Sequence, residues 1–396
     1  MKWILNDGSC DSLASRTRLK TNRQEGFFLN HSLNNRDNKI LRFTVTLVTA
    51  FIGGLVFSFL HTPIPWLLGP MAAVLIGARF GKIAFYWPVA IRDTGLIVVG
   101  YSIGLSFTKD ALLQIIAKLP SMLLMTTLLV LFCAGIAWIV SKLTGVDYPT
   151  VLTGSIPGGL SQMIIFAEEM KGIDITTVTF LQVARLMMII FVVPFLILGP
   201  LFHHPGSGSA VDVVNRAAQV SGPVFPNFII LAIICILCAF LARKLKFPTP
   251  NLLGPILGTA IAGISGLHGP VLPPSVLDIS QFMIGSYIGL LLKPEKLEHK
   301  AKVISLAFLS GLLMIVGSVG LGLLLIYFYH ITPSTSLLSL APGGMDQMAI
   351  LAHEVNADLS MVTGYQLFRL FFIYFVVPPM LRLFFKVGSR KIKRPA

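Results

Sequence analysis

Two segments hold the residues best suited to chemistry. Residues 157–169 read PGGLSQMIIFAEE and residues 342–354 read PGGMDQMAILAHE, with eight of thirteen positions identical at an offset of 185. A proline followed by two glycines in an apolar segment removes a helix hydrogen bond, permits unusual backbone angles and frees amide and carbonyl groups. Those groups need partners. In membrane carriers the partner is commonly an anionic solute group at the positive end of a half-helix, or an ion at exposed carbonyls. A plain kink or a glycine-lined helix crossing is the structural alternative. Recurrence of the break in both segments favours a site. Its candidate substrate contacts are Gly158, Gly159 and Gln162, beside Ser161, and Gly343, Gly344, Asp346 and Gln347. An acid such as Asp346 is costly in an apolar segment and marks a functional position, for which a proton or Na⁺ is the natural partner.

A second repeated block follows each of these. TFLQVARLMMIIFVVP at 179–194 matches TGYQLFRLFFIYFVVP at 363–378 in nine of sixteen positions. Gln182 and Arg185, and again Gln366 and Arg369, are three residues apart and share one helix face. An arginine about ten residues into an apolar helix faces the protein interior rather than lipid. Substrate contact is one role for these four residues. The other is a structural ion pair of each arginine with Glu169 or Asp174 in the first half, and with Glu354 or Asp358 in the second.

Other chemistry finds no support. Among the eight histidines only His203 and His204 are neighbours, and no HExxH or comparable ligand spacing is present. Cys235 and Cys238 have redox-motif spacing but lie in an apolar run without a His or acidic partner, so they read as packing residues. No phosphate-binding glycine loop occurs. The residues imply no enzyme, no metal and no cofactor.

These segments need elements that can hold them. Of the 396 residues, 55% are hydrophobic and 12% charged, with mean hydropathy +0.81, more apolar surface than one soluble core could bury. The apolar runs are too long and uniform for barrel strands, so the fold is all-α, a polytopic transmembrane helical bundle. PWLLGP at 65–70 returns as PNLLGP at 250–255, and Gly100-Tyr-Ser-Ile-Gly-Leu105 as Gly285-Ser-Tyr-Ile-Gly-Leu290, again at 185. The chain therefore divides into a polar basic leader (1–40), a first transmembrane repeat (41–200), a linker (201–224), a second repeat (225–385) and a basic tail (386–396). Spans are expected near 43–60, 64–80, 91–107, 121–141, 176–200, 225–242, 249–266, 276–292, 304–328 and 360–382, with 150–170 and 335–356 as broken helices. Five spans per half make the repeats inverted, and place most Lys and Arg on the cytosolic side with Lys109 and Lys118 on the wrong face. Two six-span halves remain open. The net charge of +14 follows the positive-inside pattern of a multi-pass protein of the bacterial cytoplasmic (inner) membrane rather than a nucleic-acid-binding face.

The duplicated blocks and the repeated PGGxxQM resemble the AbrB family of bacterial membrane proteins, over residues 41–385. Members carry the labels "AbrB family transcriptional regulator" and "putative ammonia monooxygenase". An oxygenase needs clustered His and carboxylate ligands, which are absent, and direct nucleic-acid binding needs a soluble basic element. The resemblance implies architecture more than activity. The residues point to a secondary transporter of a small anionic solute with H⁺ or Na⁺ as coupling ion, embedded in the lipid bilayer. The alternative is a membrane-embedded regulator or sensor that influences gene expression indirectly, without transport. Glycine-rich helix faces would also suit a homodimer.

Overall fold

A computed structural model of the chain describes residues 39–80, 84–170, 172–198, 224–267, 269–291 and 300–382. Nearly all of the leader (to residue 38) and of the linker (201–223), and the whole tail (386–396), lie outside the described residues, while Val224, expected in the linker, begins α9. The first half runs α1 (Lys39–Phe59), α2 (Pro65–Phe80), α3 (Val89–Leu105), α4 (Lys109–Ala117), α5 (Leu119–Thr144), α6 (Tyr148–Ser155), α7 (Leu160–Glu169) and α8 (Ile175–Leu198). The second runs α9 (Val224–Lys244), α10 (Pro250–Ile264), α11 (Pro274–Gly289), α12 (Lys300–Tyr329), α13 (Pro333–Leu340), α14 (Met345–Glu354) and α15 (Leu359–Phe375), the last continuing to Arg382 after one turn residue, Val376. No strand occurs among the described residues. Helices α1 and α9 begin one or two residues ahead of the expected repeat starts, within ordinary variation of helix ends.

The chain is a multi-pass membrane protein. Six helices, α1, α5, α8, α9, α12 and α15, are long and apolar enough to cross a bilayer, three from each half. Along α1 and α9 large apolar side chains such as Phe51, Leu55, Ile233 and Leu237 are exposed, a pattern only lipid tolerates. In α8 and α15, by contrast, 61% and 50% of the spanning residues are buried, against 22% in α1 and α9. The repeated Gln-Arg helices are therefore the central ones.

The offset of 185 seen in sequence is also the offset between helix starts: Pro65 and Pro250, Val89 and Pro274, Tyr148 and Pro333, Leu160 and Met345. Turn geometry repeats where residue types do not. Gly145 (φ 66°) is matched by His330 (φ 53°), and Gly172 (φ 91°) by Asn356 (φ 51°), so the second half holds side chains in a left-handed conformation that glycine occupies freely in the first.

The halves interlock reciprocally. Helix α2 packs on α11 while α10 packs on α3, and α3 meets its own counterpart α11. Small residues make this possible: a Cβ on Gly285 or Gly289 would meet the carbonyl of Leu67 or Met71, and one on Gly100 or Gly104 would meet the carbonyl of Leu252 or Ile256. The two most recognisable sequence blocks are thus one helix crossing made twice. Helices α1–α3 and α9–α11 form one block. Helices α5–α8 and α12–α15 form another, in which α8 packs on α12 and α15 on α5. The blocks meet where α14 and α15 contact α3. Cys235 is buried 3.2 Å from the Thr259 hydroxyl and Cys238 packs beside Gly258, as befits packing residues.

Helix α4 is absent from the expected list of spans. It turns 87° from α3, buries none of its residues and is capped by Thr108, which accepts from the Ala111 amide at 3.2 Å. An 87° turn with an unburied apolar edge suits a helix lying along the bilayer surface. Lys109 then starts a surface helix and Lys118 ends it with its ammonium 4.5 Å from the centre of the Tyr329 ring.

The crossing yields a direct prediction. A Gly100→Ala methyl would lie 2.7 Å from the Leu252 carbonyl oxygen and should cost about 1–3 kcal/mol by overpacking. Gly135→Ala, with nothing within 4 Å, should be neutral or stabilise by up to about 1 kcal/mol. Thermal unfolding of the two variants in detergent compares them.

Candidate functional site

The helix breaks are set by proline. A residue before proline is pushed out of the helical region, and Ile156 (ψ 127°) and Ala341 (ψ 124°) are both extended, ending α6 and α13. The chain stays extended to Gly159 (ψ 132°) and Gly344 (ψ 143°), after which α7 and α14 begin. The expectation that the glycines supply unusual backbone angles is corrected: none of Gly158, Gly159, Gly343 and Gly344 has positive φ. Three of them supply space. A Cβ on Gly158 would crowd Met163 and come 3.2 Å from Ile373, one on Gly343 would crowd Met348 and come 3.1 Å from Ile189, and one on Gly344 would strike Gln347 and Asp346. Ile189 and Ile373 lie on the last helix of the opposite half, so each break rests against α8 or α15 of the other repeat.

Ending a helix inside an apolar bundle orphans its last carbonyls. In the first half the Gln182 amide donates to the Thr153 and Ile156 carbonyls, both at 2.9 Å. The Arg185 guanidinium donates to Ser155 at 3.0 Å and Gly154 at 3.4 Å, and to the Gln182 side-chain oxygen at 2.7 Å. The second half repeats the arrangement. Gln366 donates to Leu338 (2.7 Å) and Ala341 (3.2 Å), and Arg369 to Ala341 (2.8 Å), Gly343 (3.1 Å) and the Gln366 oxygen. All four side chains are at least 94% buried. Each Gln-Arg pair is thus a latch on the negative end of a half-helix, where a cation is favoured. The latch is held in register by a second repeated bond, in which Thr150 and Thr335 hydroxyls accept from the amides of Asp174 and Asp358 at 3.2 and 3.0 Å.

The ion pairs weighed from sequence do not form among the described residues. Glu169 pairs with Arg382 at the exposed end of α15. Asp174 and Asp358 accept from amides at the starts of α8 and α15. Glu354 receives a contact from Gln281 at 3.4 Å. A carbonyl end satisfies an arginine without a second charge having to be desolvated, which is why it wins over a carboxylate in this setting. Neither Arg185 nor Arg369 has a carboxylate within ion-pair distance among the described residues.

The opposite ends of the breaks differ between halves. Helix α14 carries Asp346 in its first turn, and that carboxylate accepts from the Gln347 side-chain amide at 2.7 Å. Helix α7 has no acid there. The side chains of Leu160, Ser161 and Gln162 lie outside the described residues. Several polar atoms around the breaks are buried without a protein partner: Ser155 Oγ, Arg185 Nε and Gln347 Oε1. The structure thus places Gly158, Gly159, Gln182 and Arg185 at one break and Gly343, Gly344, Asp346, Gln347, Gln366 and Arg369 at the other. Sequence reasoning overlooked Thr150 and Thr335, although their recurrence at the offset of 185 was a usable signal.

A family model described as Transition state regulatory protein AbrB matches residues 66–385. The chain is 26% identical over 387 residues to "Uncharacterized protein YhjN" of Bacillus subtilis (strain 168), covering 91% of this chain and 97% of that one. It is likewise 26% identical over 343 residues to "Putative regulator AbrB" of Escherichia coli (strain K12), covering 87% and 96%.

The latch predicts a stability hierarchy. Gln366→Leu leaves the Leu338 carbonyl without its side-chain donor while Ala341 keeps Arg369, and should cost about 1–3 kcal/mol for the one orphaned group. Arg369→Lys should recover little relative to Arg369→Met, because an ammonium cannot span Ala341, Gly343 and Gln366 with a planar fork. Detergent melting curves report both; a fully stable Arg369→Lys would contradict the latch.

Proposed function

The chain belongs to the AbrB family, and we propose that it is a secondary transporter of a small anionic solute in the bacterial cytoplasmic membrane. One observation carries the reading: two buried arginines without carboxylate partners among the described residues stand at the two helix breaks, beside polar atoms that have no hydrogen-bond partner there. Positive charge in an apolar interior attracts an anion, and the start of a half-helix adds amide donors for it.

The difference between the halves indicates which break takes the solute. In α14 the first turn already carries the protein's own Asp346 carboxylate. In α7 the equivalent residue is Ser161, so the positive helix end carries no acid of its own and is the one we assign to a solute anion, with Gly158, Gly159 and Gln162 beside it in the sequence. Gln182, Arg185, Gln366 and Arg369 hold the breaks open and set the field. Movement of the α1–α3/α9–α11 block against the other would expose the site to each side in turn, the scheme common to carriers with inverted repeats. The bound chemistry is recognition and release, with no bond broken and no cofactor required.

The printed names of the family and of one relative favour a second reading, a membrane-embedded regulator that binds the solute without moving it. Flux separates the two. Reconstituted in liposomes, wild-type protein is expected to take up at least one small organic anion saturably. Ser161→Asp, which copies the residue already tolerated at Asp346, should abolish uptake and ligand-induced thermal stabilisation, while Ser161→Ala retains most of both. Stabilisation without flux would favour the regulator; wild-type uptake in Ser161→Asp would sink the α7 site.

A further inference from the structure

Asp346 and Gln347 stand side by side at the start of α14, and their side chains are bonded once where their shapes allow two bonds. The Gln347 Nε2 donates to the Asp346 Oδ2 at 2.7 Å. Gln347 is 4% exposed, and its Oε1 is buried with no hydrogen-bond partner among the described residues. That oxygen and the Asp346 Oδ1 lie on the same side of Gly344, both within 2.7 Å of the point that a Cβ would occupy there. An amide oxygen and a carboxylate oxygen are both acceptors, so neither can satisfy the other. A proton between them changes that.

We propose that Asp346 is a proton-binding site, in which a proton taken from water forms an O–H bond on Oδ1 and that hydroxyl donates to the Gln347 Oε1. The bond from Nε2 to Oδ2 stays, so acid and amide face each other through two parallel hydrogen bonds. The buried acceptor is then satisfied. The ionised form has its own support, since the first turn of a helix favours negative charge. Each state thus holds an interaction that the other lacks, as a group that binds and releases a proton requires. Asp346 is half-buried, which leaves water a path to it. A metal cation fits less well. It needs a shell of several oxygens, and the neighbouring Ala341 and Gly343 carbonyls already accept from Arg369.

Helices α3, α13 and α15 pack on α14. Helix α13 carries no titratable group. From α15 and its cap come Asp358, Tyr365 and Arg369, held by the Met361 amide, the Ser121 hydroxyl and the Ala341 and Gly343 carbonyls. Tyr374 and Arg382, further along α15, reach Lys246 and Glu169. From α3 come Arg92 and Asp93, paired with each other, and Tyr101, which donates to the Pro270 carbonyl. On α14 itself His353 and Glu354 lie about two turns further on. No hydrogen bond or ion pair joins any of these to Asp346 among the described residues, which leaves Gln347 as its side-chain partner.

Protonation makes the two breaks alike. A neutral Asp346 gives α14 the uncharged first turn that α7 has with Ser161. A negative charge leaves the site, so proton and solute anion favour each other's binding. That coupling rests on the transport reading; the protonation itself does not.

The test is infrared difference spectroscopy of the detergent-purified full chain, acidic minus alkaline buffer. Acidified wild type is expected to gain a protonated-carboxyl C=O band, together with a shift of a glutamine side-chain amide band. Asp346→Asn puts an N–H where the acid puts its O–H, so it should melt at least as high as wild type and lose both changes. If that variant does not fold, Asp346→Ser, which copies Ser161, should lose them equally. Gln347→Leu should keep the carboxyl band but move it to higher wavenumber, because the hydroxyl has lost its acceptor. Equal difference spectra in wild type and the Asp346 variant, or an unmoved band in Gln347→Leu, would overturn the pair. So would a Na⁺-induced change at fixed pH that Asp346→Asn abolishes. No transported solute enters this measurement, so its failure leaves the carrier reading standing, and a failure of uptake leaves the proton site standing.

Discussion

Inside an apolar bundle the carbonyls at the end of a helix have no water to turn to, and here two helices stop in the interior. The side chains that answer them are Gln182 with Arg185 and Gln366 with Arg369. A glutamine offers two donors and one acceptor, and an arginine five donors in a plane, so one pair covers several carbonyls and still bonds internally. Meeting that need requires α8 and α15 to pass beside the breaks, which places them at the centre and sends α1 and α9 to the lipid face. The rest of the packing follows from where these two helices must run.

The arrangement has an electrostatic consequence. A guanidinium held by carbonyls alone keeps its full charge, so each buried arginine raises the positive potential at its own break. Had carboxylates taken the arginines, the same geometry would be electrically quiet. Stability and, under the proposed function, solute attraction therefore draw on the same four side chains, with the backbone as their partner.

Duplication gives the molecule an internal control. Where both repeats keep a feature, such as the Thr150 and Thr335 hydroxyls on the amides of Asp174 and Asp358, the feature serves the shared scaffold. Where they diverge, as at Ser161 and Asp346, the scaffold does not require the change, and function is the better explanation. His330 and Asn356 belong to a third class. Each occupies a left-handed turn that the first repeat gives to glycine, so the inherited backbone path outweighs local preference, at a cost of about 1–2 kcal/mol for such a residue.

The sequence by itself determined the all-helical membrane architecture, the duplication, the course of the long spans and the position of both breaks, because apolar run length, repeat identity and proline act locally. It also placed Gln182, Arg185, Gln366 and Arg369 on inward faces through their spacing. It could not choose the partners of Arg185 and Arg369. Glu169 and Asp174 looked near along the chain, yet Glu169 reaches Arg382, 213 residues away, and the arginines reach carbonyls about 30 residues upstream. Nor could it show that the glycines provide room rather than backbone freedom, since the atoms that need the room, at Ile189 and Ile373, come from the opposite half. Those choices rest on which helices cross, and a crossing is fixed only when both partners have folded against each other.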